Sequence, residues 1–98
     1  MIYVIATLKA KAGMAGHIKQ AALPLIAATR AEDGCMSYEL SADIADENRL
    51  VFVERWESRD QLEAHFTTPH IATFGQAVKE LLESQRVEII ESDTIEVI

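Results

Sequence analysis

Ninety-eight residues, 49% hydrophobic and 26% charged, describe one ordinary globular domain over residues 1–98, with little room for a second. A formal net charge of −7 argues against nucleic acid or an anionic membrane as a partner, since each needs a basic face. No apolar run is long enough to span a bilayer, Met1 leads straight into strand-like sequence, and the one cysteine, Cys35, has no internal partner, so a cytoplasmic protein is expected.

Ile2 to Leu8 (IYVIATL) is a β-branched run that ends in the turn-like Lys9–Gly13. From Met14 to Glu32 the period becomes helical, with Ile18, Ala22, Leu25 and Thr29 on one face. Pro24 falls inside this stretch, yet the apolar face runs through it unbroken, which predicts one helix. Gly34 supplies a left-handed stop. Met36–Ser41 and Arg49–Trp56 then read as two strands of an antiparallel hairpin, turned by Asp43–Asn48. Ser58 and Gln61 have the spacing of a capping box, which predicts a short helix from Arg59 to Phe66. Thr67 or Thr68 before Pro69 restarts a helix, whose stripe of Ile71, Phe74, Val78 and Leu81 carries it to about Ser84. Arg86–Ile98 reads as one or two terminal strands.

The order β-α-β-β-α-β, with the second helix split, is the ferredoxin-like α+β plan: an antiparallel sheet with helices on one face. Such a sheet should alternate apolar and polar residues. Here Leu50 and Phe52 oppose an equally apolar Val51 and Val53, and Ile2 and Val4 oppose Tyr3 and Ile5. Two helices cover only one face. A second copy of the same sheet is the simplest cover for the other, so a homodimer built sheet against sheet is expected.

Two polar residues stand in apolar company. Glu54 follows Leu50 and Phe52 on one side of its strand, and His65 lies on the inward side of its short helix. Burying either without a partner costs roughly 1–3 kcal/mol. As ordinary structure, Glu54 is a rim residue reaching water or an arginine, and His65 a core histidine bonded to a backbone carbonyl. As chemistry, they form an acid–base pair in which Glu54 orients His65, the proton acceptor. Tyr38 and Trp56 are either core aromatics or the walls of a pocket for a flat ring, and Phe66 beside His65 is a further substrate-binding candidate. His70, in the first turn of the next helix, reads as a capping or surface residue, with substrate contact as its functional alternative. His65 and His70 are five apart across a proline break and show no third ligand at recognisable spacing, so no metal site is expected. Cys35 has no basic neighbour to activate it. Phosphate-binding loops, dinucleotide fingerprints and serine elbows are absent, so an enzyme here would work without a nucleotide-derived cofactor.

The segments TRAEDGCMSYEL (Thr29–Leu40), FVERWES (Phe52–Ser58) and LEAHFTTPHIATF (Leu62–Phe74), with the opening IYVIATLKAKAG and the helical ALPLIAATR, resemble the antibiotic biosynthesis monooxygenase family, most closely its small quinol-monooxygenase-like branch. The resemblance covers nearly the whole chain. It implies a dimeric α+β barrel with one pocket per protomer. It also implies oxidation of a hydroquinone or hydroxy-aromatic small molecule by dioxygen, using no cofactor. The family's recurring pocket positions match Tyr38, Glu54, Trp56 and His65. Haem-degrading relatives carry an Asn near the end of the first strand and a Trp where this chain has His65; Thr7 and His65 argue against haem. Two alternatives remain. An isomerase of a small carbonyl metabolite would need a cationic pocket residue if its substrate is phosphorylated, with Arg30 and Arg55 the candidates; a non-catalytic small-ligand-binding protein would need neither.

Overall fold

The computed structural model describes all residues, Met1–Ile98, and its elements follow the order β1 (Ile2–Ala10), α1 (Ala15–Arg30), β2 (Cys35–Asp43), β3 (Asp46–Trp56), α2 (Arg59–Phe66), α3 (Pro69–Val78) and β4 (Leu82–Glu91). The strands form one antiparallel sheet in the order β2-β3-β1-β4. This is the ferredoxin-like arrangement expected from the element order, with its second helix in two pieces.

The β1–β3 register aligns Val4 with Glu54 and Leu8 with Leu50. Ile2, Val4, Ala6, Leu8, Leu50, Phe52 and Trp56 all join a single hydrophobic core, together with Ile18, Ala22 and Leu25 of α1. The four positions predicted for the α1 face (Ile18, Ala22, Leu25 and Thr29) are all buried. Pro24 lies inside α1 without ending it. Pro24 and Gln20, whose carbonyl loses its usual donor, both lie on the exposed side of the helix, where water can satisfy that oxygen.

Gly34 has φ +82°, the left-handed conformation expected of it. A Cβ there would fall 2.2 Å from Gln61 Cδ, so the same glycine lets the turn after α1 press against the start of α2. Ser58 caps α2 as predicted: its Oγ accepts from the Gln61 backbone N–H at 3.3 Å and donates to Gln61 Oε1 at 3.1 Å. Thr68 and Pro69 open α3 at its N-cap and first positions.

The last quarter of the chain departs from expectation. The helix ends at Val78 rather than near Ser84, and a strand occupies Leu82–Glu91, with no strand after it. The apolar spacing through Leu81 imitates one more helical turn. Sheet hydrogen bonding overrides it, because the second edge of β1 needs a partner along its whole length. Lys11 N–H donates to the Leu81 carbonyl at 2.8 Å, and pairing runs from Leu82 opposite Ala10 to Glu91 opposite Ile2. The hairpin turn is also tighter than expected, with β3 already under way at Asp46.

Candidate active site

Between the sheet and α2–α3 lies a cavity of about 470 Å³. Val4, Ala6, Leu8, Phe52, Phe74 and Val78 make its walls apolar, and Tyr38, Glu54 and His65 bring polar groups to it. A mostly apolar cleft with a few convergent polar groups is the usual form of a small-molecule site.

His65 is 1% exposed, in the last turn of α2. Its Nδ1 lies 2.7 Å from Glu32 Oε2, and His70 Nε2 lies 2.8 Å from the same oxygen. His65 Nε2 has no protein partner and is not among the sealed, unpartnered polar atoms. Since His65 lines the cavity, this nitrogen is the one open to it. Burial pushes the His65 pKa down, and Glu32 opposes the shift without cancelling it. The ring is therefore a neutral imidazole with an available lone pair. Trp56 packs on it at 4.7 Å between ring centroids, and Tyr38 meets it edge-on at 5.4 Å.

Glu54, 5% exposed, is paired across the sheet with Tyr38 and with Val4. The expected Glu54–His65 pair does not form. Glu54 Oε1 instead accepts from the Trp56 indole Nε1 at 3.0 Å, because the two side chains are neighbours on one face of the same strand. Burial raises the Glu54 pKa to about 7, against the indole hydrogen bond that lowers it, and the nearby Glu32 charge raises it further. The Tyr38 phenol is pushed up as well, chiefly by burial and then by Glu54 and Glu32.

Of the predicted site residues, the structure places Tyr38, Glu54, His65 and Phe66 on the cavity wall. Trp56 does not line it. The indole is fully buried behind His65 and supports that ring, in place of the expected substrate contact. His70 is also off the wall and faces Glu32 instead. Neither cation proposed for a phosphorylated substrate enters the cavity: Arg30 donates to the Tyr38 carbonyl, and Arg55 lies over the Tyr3 ring on the opposite sheet face. Lys79 is the one cationic lining residue.

Glu32 escaped the sequence reading. Its one local signal is an acidic residue just past the end of a helix, where the dipole favours bases. The third donor missing from the sequence is this residue: Glu32, His65 and His70 present ligand-type atoms within 4.8 Å of one another. As they stand, both imidazoles are hydrogen-bonded to the carboxylate.

Comparison with known proteins agrees with this architecture. The family model for antibiotic biosynthesis monooxygenase matches residues 1–77. The Escherichia coli (strain K12) protein named "Probable quinol monooxygenase YgiN" is 33% identical over 91 residues, covering 81% of this chain and 86% of its own. Rv0793 of Mycobacterium tuberculosis is 47% identical over 58 residues, which span 59% of this chain and 56% of that protein. The solved structure of Rv0793 superposes with a TM-score of 0.89 at 30% identity, over 98% of both chains. From the sheet order to the residues of the first 77 positions, the chain belongs to the antibiotic biosynthesis monooxygenase family.

Proposed function

We propose that the protein is a monooxygenase that oxidises a quinol or other hydroxy-aromatic small molecule with dioxygen, using His65 Nε2 as the base and no cofactor. The observation that carries this reading is a buried imidazole on the wall of an apolar cavity, with Nδ1 held by Glu32 and Nε2 left without a protein partner. The walls run from the level of Val4 and Glu54 to that of Leu8 and Gln85, which at strand spacing is roughly 13 Å, room for a fused-ring substrate. In this reading Tyr38 and Phe66, both on the cavity wall with His65, contact the substrate ring.

In this scheme the substrate hydroxyl gives its proton to His65 Nε2. The resulting anion is electron-rich enough to reduce dioxygen, and a water-poor cavity keeps the reacting pair together. One oxygen atom enters the product and the other leaves as water. The substrate supplies all four electrons, so a quinol and dioxygen yield a hydroxyquinone and water. Glu54, half-ionised near neutrality, is then a second group that exchanges protons at the cavity wall.

The test is oxygen uptake with a panel of hydroquinones, comparing the wild-type protein with His65→Ala. Uptake that falls by about 100-fold or more in the variant supports the base role. Equal rates remove it. Ligand-dependent thermal stabilisation with no uptake identifies a binding protein instead.

We also propose a homodimer through the sheet face that no helix covers. Val53 and Ile90 are 42% and 43% exposed there, and Arg55 Nε is buried without a partner. An apolar face that also carries an orphaned donor is better satisfied by a second copy than by water.

A further inference from the structure

We propose that Glu32 is the positioning residue of this site and that His70 clamps it in place. The inference rests on His65 being the base. A carboxylate only accepts hydrogen bonds, so the two short contacts to Glu32 Oε2 require a proton on His65 Nδ1 and on His70 Nε2. That fixes the neutral His65 tautomer with its lone pair on Nε2, the nitrogen open to the cavity. When Nε2 takes a proton, the imidazolium forms against a carboxylate already 2.7 Å away, with no rearrangement.

No other group can play this part. Glu54 is occupied by Trp56, and Tyr38 and Trp56 meet His65 through their rings. The three members come from separate places: the turn after α1, the last turn of α2 and the first turn of α3. A carboxylate held only by His65 could rotate toward solvent. His70, 23% exposed in its side chain, sits on the outer side of the more buried Glu32 and supplies the second bond that prevents this. The groups that face His65 are therefore Glu32 and His70 from the turn and α3, and Tyr38, Trp56 and the nearby Glu54 from the sheet.

Two measurements on the folded full chain test this. The first needs no substrate: long-range ¹⁵N–¹H spectra of histidine-labelled wild type, Glu32→Gln, His70→Leu and His70→Gln. The wild type should show a single His65 tautomer protonated at Nδ1. Glu32→Gln should mix the tautomers and move the His65 titration to lower pH, because the anion that favours the imidazolium is gone. His70→Leu should weaken the preference, and His70→Gln, which restores an N–H donor, should recover it. An unchanged tautomer and titration in Glu32→Gln overturns the proposal.

The second is oxygen uptake with the best hydroquinone. Glu32→Gln should lower kcat at least about tenfold while KM stays within about twofold, and the acidic limb of the kcat/KM profile should shift down in pH. A matched loss confined to KM overturns the positioning role. A wild type that consumes no oxygen defeats the base reading alone, and the spectra then decide whether Glu32 sets the tautomer.

Discussion

The indole Nε1–H of Trp56 donates to Glu54 Oε1 at 3.0 Å, so a carboxyl group in the apolar core is held by an aromatic donor and by no cation. That relationship governs how the fold responds to pH. It also explains why Glu54 cannot serve His65.

The Glu54 carboxyl is easier to protonate folded, at about 7, than its ordinary 4.5. The folded chain thus holds a proton that the unfolded chain has lost in this window. Stability from Glu54 is complete below pH 4.5 and drains away as pH rises through about 7, by up to about 3 kcal/mol. Glu54→Gln keeps an acceptor for the indole and removes the titration. It should match the wild type near pH 4.5 and be clearly more stable at pH 8 in urea melts. Parallel pH profiles of the two proteins contradict this.

His65 pulls in the opposite sense. Its lowered pKa means stability that is present above 6.5 and lost as pH falls through the folded value. With Glu54→Gln as background, stability should therefore rise from pH 5 to pH 7, and His65→Gln in that background should flatten the rise. A rise that persists without His65 assigns it to another group.

Gly34→Ala forces a left-handed backbone to carry a side chain and drives its Cβ into Gln61. A loss of about 1–3 kcal/mol is expected, with the start of α2 loosened. Gly16→Ala is the control: it lies in α1 with nothing within 4 Å of an added Cβ, and should stabilise by about 0.5–1 kcal/mol. Equal effects from the two substitutions would show that Gly34 is not a point of close approach.

The Cys35 thiol is pushed up by burial, then by the negative charges of Glu32 and Glu54. Alkylation by iodoacetamide at pH 7 should be slower than for a free cysteine peptide, and should speed up in Glu32→Gln. Peptide-like reactivity in the native protein contradicts this account.

Light scattering after size exclusion should give twice the mass of one chain at micromolar concentration. Val53→Lys, in the middle of the exposed sheet face, should shift the population to monomer without unfolding it. A monomeric wild type removes the dimer.

The fold was largely legible because its signals are local. Ser58 and Gln61 announced α2, Pro69 announced α3, and the period-2 and 3.6-residue patterns marked β1 and α1. The α3–β4 boundary was not, since Leu81 fits a helical stripe and only the unmet edge of β1 decides otherwise. At the site, the polarity of Glu54 and His65 was visible but their partners were not. The sequence places Glu54 and Trp56 on one strand face, and it offers no measure of the distance to Glu32, thirty-three positions from His65.

The interruption at Thr67–Pro69 has its own consequence. In one unbroken helix, at 100° per residue, His70 would point about 140° away from His65, and no single carboxylate could reach both. The pairing is thus written into chain length as much as into side chains. Deleting Thr67 would leave every residue of the cluster present and should still scatter it, so in this segment spacing matters as well as residue identity.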